Sequence, residues 1–130
     1  MEMEIVFGGG KKVNAIYKNF TIKTDQPRYD GGDNSAPAPF DLFLASIGTC
    51  SGYYVLSFCQ GRNIPTDGIK IILRTEKGKE KIIDKIKIEI QLPPEFPEKY
   101  RDAVIRAVEL CAVKRCIQNP PSFEIYTKKT

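Results

Sequence analysis

The feature that most constrains this chain is an uncharged stretch of 18 residues, 42–59. Pro39 suits the first turn of a helix, and Asp41 suits the positive end of the helix dipole. Glycine, asparagine and proline within residues 61–65 are typical of a helix end. The sequence therefore predicts one long apolar helix, from Pro39 to about Gln60, which must be covered on nearly all sides.

A membrane span is the alternative interpretation of this helix. Eighteen residues is the lower limit for a span, and Gly48-x-x-x-Gly52 permits close approach of membrane helices. Hydroxyl side chains dilute the apolar character, however, and the strands elsewhere need an apolar cover. We therefore expect no membrane. Because 130 residues are too few to surround such a helix, we predict a homodimer with this helix near the interface, where Ala45, Gly48 and Gly52 let the backbones approach.

The rest of the chain predicts an α+β domain. Isoleucines 86, 88 and 90 alternate with charged residues, which is typical of a strand with one buried face. Pro97 opens a second helix with an apolar stripe that reaches Cys111, and residues 123–126 form a last short strand. The predicted order is β-β-β-α-β-β-α-β, and the length fits a single domain, residues 1–130.

Composition excludes several classes of function. The chain has no histidine, so Ser-His and Cys-His catalysis and histidine-ligated zinc are not available within it. The formal net charge is only +4, and the lysines alternate along strands instead of clustering, so we expect no nucleic-acid partner.

Four cysteines are the candidates for chemistry: Cys50, Cys59, Cys111 and Cys116. The acidic N-terminus does not resemble a signal peptide, so we expect a cytoplasmic protein with reduced thiols. The spacing is not that of a usual metal site, and we predict no metal. Cys50 and Cys59 lie roughly 13 Å apart along one helix and cannot pair there. A partner for Cys50 must come from another element, and Cys111 is the natural choice. We interpret Cys59 and Cys116 as small buried side chains.

Two segments resemble the OsmC/Ohr family of thiol-dependent peroxidases. The first contains Gly31-Gly32, a proline-rich loop and Pro39-Phe40-Asp41-Leu42-Phe43-Leu44-Ala45-Ser46-Ile47-Gly48-Thr49-Cys50. The second is Leu110-Cys111-Ala112-Val113, which occupies the place of the usual Leu-Cys-Pro-Val.

The resemblance implies an OsmC-like fold: an antiparallel sheet with a long buried central helix and a second helix, in an intertwined homodimer with two active sites at the interface. Cys50 would be the peroxidatic thiolate that attacks an organic hydroperoxide, and Cys111 the resolving thiol. An external dithiol reductant, such as the dihydrolipoyl group of a lipoylated protein, would restore both, without metal, flavin or haem cofactor. The predicted substrate pocket contains Phe40, Phe43, Tyr53 and Tyr54.

Three positions depart from the pattern of the peroxidase members. Phe40 follows Pro39 where those members have a glutamate, although the next residue, Asp41, is acidic. The glycine-rich turn carries Lys11 and Lys12 and no arginine, so Arg28 or these lysines, together with Asp41, would activate the Cys50 thiolate. Ala112 replaces a proline and predicts that the second helix continues through Cys111.

These departures support a second hypothesis. An OsmC-like redox-sensing or small-molecule-binding protein would use the same interfacial pocket to hold an apolar molecule or a thiol without efficient peroxidase turnover.

Overall fold

The long apolar helix predicted from the sequence is present, and it runs from Pro39 to Gln60 as α1. The computed structural model describes all 130 residues, and its elements give an α+β fold with two antiparallel sheets and three helices. The chain divides into two units, Met1–Ala45 and Ser46–Thr130. The boundary falls inside α1, and each unit is described in turn.

The first unit contains a three-stranded antiparallel meander. Its strands are β1 (Glu4–Phe7), β2 (Val13–Tyr17) and β3 (Phe20–Thr24), in that spatial order. Since side chains alternate along a strand, the register places Ile5, Ala15 and Ile22 in one row across one face. This face is apolar, and several of its side chains are exposed.

The loop after β3 is organised by one buried carboxylate. Asp25 is fully buried and accepts hydrogen bonds from the Ser35 hydroxyl (2.6 Å), the Ser35 N–H (3.0 Å) and the Gln26 N–H (2.8 Å). These bonds hold the pKa of Asp25 well below its usual range, with the Ser35 hydroxyl as the largest cause. A Cβ at Gly32 would lie 2.0 Å from the Gln26 carbonyl oxygen, so only glycine fits the returning chain.

The second unit packs α1 on a hairpin of β4 (Lys70–Lys77) and β5 (Ile83–Gln91). The register pairs Ile71 with Ile90 and Leu73 with Ile88, which confirms the predicted apolar face. Gly48 and Gly52 of α1 lie against this face: a Cβ on each would meet Leu73 at 3.8 Å and Ile71 at 3.7 Å. We had predicted these glycines at a subunit contact, but in the structure they serve helix–sheet packing within one chain.

The core of this unit joins one face of α1 to the second helix. Residues one or two turns apart on α1, from Ile47 through Val55, point inward, as 3.6-residue spacing requires. The buried cluster consists of Val55, Phe58, Cys59, Phe96, Val104 and Val108. The opposite face of α1 is not covered, since Tyr53 is 61% exposed and Leu56 is 39% exposed. The helix also has the length and mean hydropathy, 1.4, of a membrane span.

The second helix differs from the prediction because it is broken. After a short 3-10 helix, Glu98–Tyr100, the chain forms α2 (Arg101–Glu109) and then α3 (Ala112–Gln118). Cys111 lies between them with φ −48° and ψ 120°, which is extended backbone. The prediction that Ala112 lets the helix continue through Cys111 is therefore wrong.

The predicted last strand is also absent. Residues 120–130 form no helix or strand, and Phe123, Ile125 and Tyr126 are largely exposed. A strand exists only where another strand accepts its backbone hydrogen bonds, and within one chain none pairs with this segment.

Candidate active site

Cys50 lies in the middle of α1 at the edge of its buried face. It follows the buried Ile47 by three residues and precedes the buried Ser51, whose hydroxyl donates to the Ile47 carbonyl at 2.8 Å. A residue in this position is neither in the core nor fully in solvent, and Cys50 is half-buried. The helix thus presents one thiol at the margin of the packed core.

Cys111 is held from both sides by the break between α2 and α3. Its N–H donates to the Val108 carbonyl at 3.0 Å, and its carbonyl accepts from the Arg115 N–H at 3.0 Å. Its side chain is fully buried, with 0% exposure. The extended backbone at this residue ends one helix and starts the next, so the position of the thiol is fixed by both.

The structure brings these two cysteines together. The backbone N–H of Val113, the Cys111 thiol and the backbone N–H of Ala112 all form hydrogen bonds with Cys50. The positive charge of Arg115 acts on the same sulfur. Together they lower the pKa of Cys50 from its ordinary value, with the Val113 N–H as the largest cause, although partial burial opposes the shift.

Donors of this kind favour the thiolate, which is the nucleophilic form of cysteine. Two of the three hydrogen bonds come from backbone N–H groups at the start of α3, where the first N–H groups of a helix have no partner within it. The arrangement can therefore hold a negative sulfur next to a second thiol, which is a suitable setting for disulfide formation.

Sequence reasoning missed three members of this cluster. Ala112 and Val113 act through backbone N–H groups, which their side chains do not reveal. Arg115 is the cation that acts on Cys50, whereas we had expected Arg28 or the lysines of the glycine-rich turn. The only available signal for Arg115 was its spacing of four residues from Cys111.

The other two cysteines have different surroundings. Cys59 is fully buried in the core, as predicted, and burial raises the pKa of its thiol. Cys116 is exposed on α3, so the prediction that it is buried is wrong. No three residues of the metal-ligating types histidine, cysteine, aspartate and glutamate lie close enough to hold a metal ion.

The predicted pocket aromatics form two pairs on α1. Tyr53 and Tyr54 follow Cys50 by three and four residues, so they lie on its side of the helix, with ring centroids 5.4 Å apart. Phe40 and Phe43 form the second pair, also at 5.4 Å, in the first unit. A groove of about 280 Å³ in the second unit contains none of these residues; it is lined by Ile90, Leu92, Pro93, Pro94, Phe96, Glu98 and Arg101.

The remaining predicted site residues belong to the first unit. Asp41 lies in the first turn of α1 and accepts a hydrogen bond from the Ala38 N–H at 3.0 Å, which stabilises the start of the helix. Arg28 is exposed in a 3-10 helix, Arg28–Asp30, and forms no ion pair. Lys12 pairs with Asp33 at 2.6 Å. The catalytic roles of Asp41 and Arg28 stay predictions.

Comparison with protein families identifies the chain. The OsmC-like protein family model matches residues 32–126, a range that contains α1, β4, β5, Cys50 and Cys111. This chain belongs to the OsmC family. No curated protein sequence matches it.

Solved structures show the same fold at low sequence identity. A Psychrobacter arcticus protein, named for osmotic stress induction and detoxification, has a TM-score of 0.74 at 20% identity over 87% of this chain and 85% of its own. An organic hydroperoxide resistance protein of Legionella pneumophila gives 0.56 at 17% identity over 91% and 90%. One from Vibrio cholerae, with captopril bound in one of its active sites, gives 0.58 at 15% identity over 92% and 86%.

Proposed function

We propose that this OsmC family member is a thiol-dependent peroxidase that reduces organic hydroperoxides through Cys50 and Cys111. The observation that carries the proposal is the contact of a half-buried cysteine of lowered pKa with a second, buried thiol. Family membership and the names of the Legionella and Vibrio proteins support a role in hydroperoxide resistance.

In the proposed reaction, the Cys50 thiolate attacks one oxygen of the peroxide bond. The O–O bond breaks, the leaving oxygen takes a proton from solvent and departs as the alcohol, and Cys50 becomes a sulfenic acid. The Cys111 sulfur then attacks the Cys50 sulfur, the S–O bond breaks, and water leaves as the disulfide forms. The second step joins two cysteine side chains that already interact in the reduced protein.

The chain's backbone supports the first step. The N–H groups of Val113 and Ala112 lower the pKa of Cys50 and so increase the fraction of the reactive thiolate. Aromatic side chains one turn along α1, Tyr53 and Tyr54, suit an apolar peroxide substituent better than water or hydrogen peroxide. An external dithiol then regenerates both thiols, and no cofactor is required.

We also propose that the working unit is a homodimer in the cytoplasm. One face of α1 is covered by the chain itself, while Tyr53 and Leu56 on another face stay exposed. Apolar side chains of the meander are exposed too, among them Phe7 at 89% and Phe20 at 65%. Large exposed apolar side chains, found here on each unit, are typical of a protein–protein interface. Four free cysteines suit a reducing compartment.

The test is an assay of cumene hydroperoxide consumption with dithiothreitol or dihydrolipoamide as the reductant. We expect steady turnover that Cys50→Ser abolishes, while Cys116→Ser, which removes an exposed thiol outside the cluster, retains it. Equal rates in the wild-type protein and Cys50→Ser would contradict the proposal and favour the sensing or binding alternative.

The resolving role of Cys111 has a separate test. With one equivalent of peroxide and no reductant, we expect the wild-type protein to lose two thiols. Cys111→Ser should lose one thiol and retain Cys50 as a sulfenic acid that dimedone labels. Loss of two thiols in this variant would contradict the pairing of Cys50 with Cys111.

A further inference from the structure

We propose that the reducing thiol attacks the Cys50 sulfur of the oxidised protein and that Cys111 is the leaving group. The inference rests on the proposed function, since it concerns the disulfide that this function generates. It specifies which of the two sulfurs carries the mixed disulfide with the reductant.

Solvent access determines which of the two sulfurs the reductant thiol attacks. Cys111 is 0% exposed in a single chain, and a partner subunit adds cover and removes none. Cys50 is half-buried, so in the single chain it is the member of the pair with access to solvent. Thiol–disulfide exchange needs a direct approach of the incoming thiolate to the sulfur that it attacks, and only Cys50 offers one.

The backbone prevents Cys111 from moving out to meet a reductant. Its N–H is bonded to α2 at Val108 and its carbonyl to α3 at Arg115, each at 3.0 Å. A swing of this residue into solvent would break both bonds and expose a buried side chain. Cys50, which belongs to a continuous helix, needs no backbone change.

A reductant thiolate attacks the Cys50 sulfur, the S–S bond breaks, and its electron pair leaves on the Cys111 sulfur, which takes a proton. The second thiolate of the dithiol then attacks the first sulfur of the dithiol, which is bonded to Cys50 in the mixed disulfide. Cys50 leaves as the thiolate. The dithiol is oxidised to a cyclic disulfide by two electrons, and the protein is reduced by two.

The donors around Cys50 favour the second step. A leaving thiol of lower pKa leaves faster, and the N–H groups of Val113 and Ala112 receive the Cys50 thiolate as it forms. The same groups would therefore serve the nucleophile in peroxide reduction and the leaving group in its regeneration. A monothiol, which lacks the second sulfur, should stop at the mixed disulfide on Cys50.

The experiment maps a monothiol adduct in Cys116→Ser, which removes the exposed competing thiol. The protein is oxidised with one equivalent of cumene hydroperoxide, treated briefly with excess N-acetylcysteine, quenched in acid, alkylated with N-ethylmaleimide and digested with trypsin. Cys50 then lies in peptide 29–62, where fragmentation separates it from Cys59, and Cys111 lies in peptide 107–114. We expect the adduct on Cys50 and the maleimide on Cys111, in at least tenfold excess over the reverse pattern.

Three outcomes would overturn the inference: the adduct on peptide 107–114, equal amounts on both peptides, or a disulfide that no monothiol opens. A peroxide-treated protein without a 50–111 disulfide would instead contradict the proposed function. In that case diamide, a general thiol oxidant, is used to form the 50–111 disulfide without peroxide. The position of the N-acetylcysteine adduct is then mapped in the same way. Failure of diamide to form the disulfide contradicts both proposals.

A second measurement does not need the disulfide. In the Cys116→Ser background, Cys111→Ser leaves Cys50 as the reactive candidate, and Cys50→Ser leaves Cys111. We expect the first variant to react with 5,5′-dithiobis(2-nitrobenzoic acid) at least tenfold faster than the second. Similar rates would show that Cys111 is open to external reagents and would contradict the inference.

Discussion

The thiol of Cys50 is activated mainly by backbone groups. The Val113 N–H is the largest cause of its lowered pKa, and the Arg115 charge is the smallest one that acts in the same direction. Backbone donors are fixed in place and lose little entropy when they bind a charge. This arrangement lowers the pKa of Cys50 in a chain that has Phe40 at the position where resembling peroxidases carry a glutamate.

Replacement of Ala112 by proline tests the role of a single backbone donor. Ala112 is exposed at the first position of α3, where proline is well tolerated, and the extended backbone of Cys111 suits a residue before proline. Ala112→Pro removes one N–H and should raise the pKa of Cys50. The loss of roughly 1 kcal/mol predicts an about fivefold slower reaction with peroxide at pH 6.

The measurement is thiolate absorbance at 240 nm as a function of pH. Ala112→Gly retains the N–H and serves as the matched control, with an unchanged titration. A titration of Ala112→Pro that overlaps the wild-type curve would show that this donor does not act on Cys50.

Asp25 makes the stability of the protein depend on pH. Its pKa is lowered in the folded state, so the unfolded chain binds a proton first as the pH falls below the ordinary value of 3.8. The stabilisation is complete above about pH 5 and is lost towards the folded-state pKa. Ser35→Ala removes the largest cause and should cost about 1–2 kcal/mol at pH 7. The penalty should persist at pH 3, because the folded protein keeps Asp25 ionised at both pH values.

Urea unfolding at both pH values measures this effect. Ser57→Ala, at an exposed position of α1, is the control for loss of a serine hydroxyl and should change stability little. A Ser35→Ala variant as stable as the wild-type protein at pH 7 would show that the Ser35 hydroxyl does not stabilise the Asp25 carboxylate.

At the scale of elements, the sequence was informative wherever the pattern was local. Alternation identified β4 and β5, and the proline and glycine signals gave both ends of α1. The break at Cys111 has no such signal, because no proline or glycine occurs at residues 110–112. The site depends on that break, because the break creates the N–H groups that act on Cys50. The two thiols of the site were therefore predictable from the sequence, and the backbone donors were not.

The glycines of α1 allow a test of how this helix packs. A Cβ at Gly48 would make an ordinary contact, 3.8 Å from Leu73, and alanine favours a helix over glycine. We therefore expect Gly48→Ala to stabilise the protein by about 0.5–1 kcal/mol without changing its oligomeric state. Gly32→Ala is the opposite case and should destabilise it by roughly 1–3 kcal/mol, because its Cβ would overlap the Gln26 carbonyl.

Thermal unfolding with light scattering measures both properties. If Gly48→Ala weakens self-association, the glycine lies at a subunit contact after all, and its packing on β4 is not its main role.

At the scale of the whole molecule, the exposed apolar surface is the strongest argument for a second subunit. A chain that covers one face of a long apolar helix and leaves Tyr53 and Leu56 exposed has surface left to bury. The predicted strand at residues 123–126 is also absent from the single chain, because a strand needs a neighbouring strand and one chain does not supply it. Local sequence patterns do not specify interactions between chains.

We expect a sedimentation mass of twice 14.7 kDa at micromolar concentration. Leu56→Glu places a charge on the exposed face of α1 and should shift the protein to the single-chain mass, because burial of an unpaired charge is costly. Ile105→Glu, on the exposed side of α2, is the matched control and should leave the mass unchanged. A wild-type protein that sediments as a single chain would remove the homodimer from the account.

The central claim is that Cys50 and Cys111 act as one redox pair, and its most direct test is a single-turnover mass spectrum. After one equivalent of cumene hydroperoxide, the account predicts a protein two hydrogens lighter, with tryptic peptides 29–62 and 107–114 joined by a disulfide from Cys50 to Cys111. A wild-type protein that keeps both peptides separate, with added oxygen on Cys50 or no change at all, would contradict it.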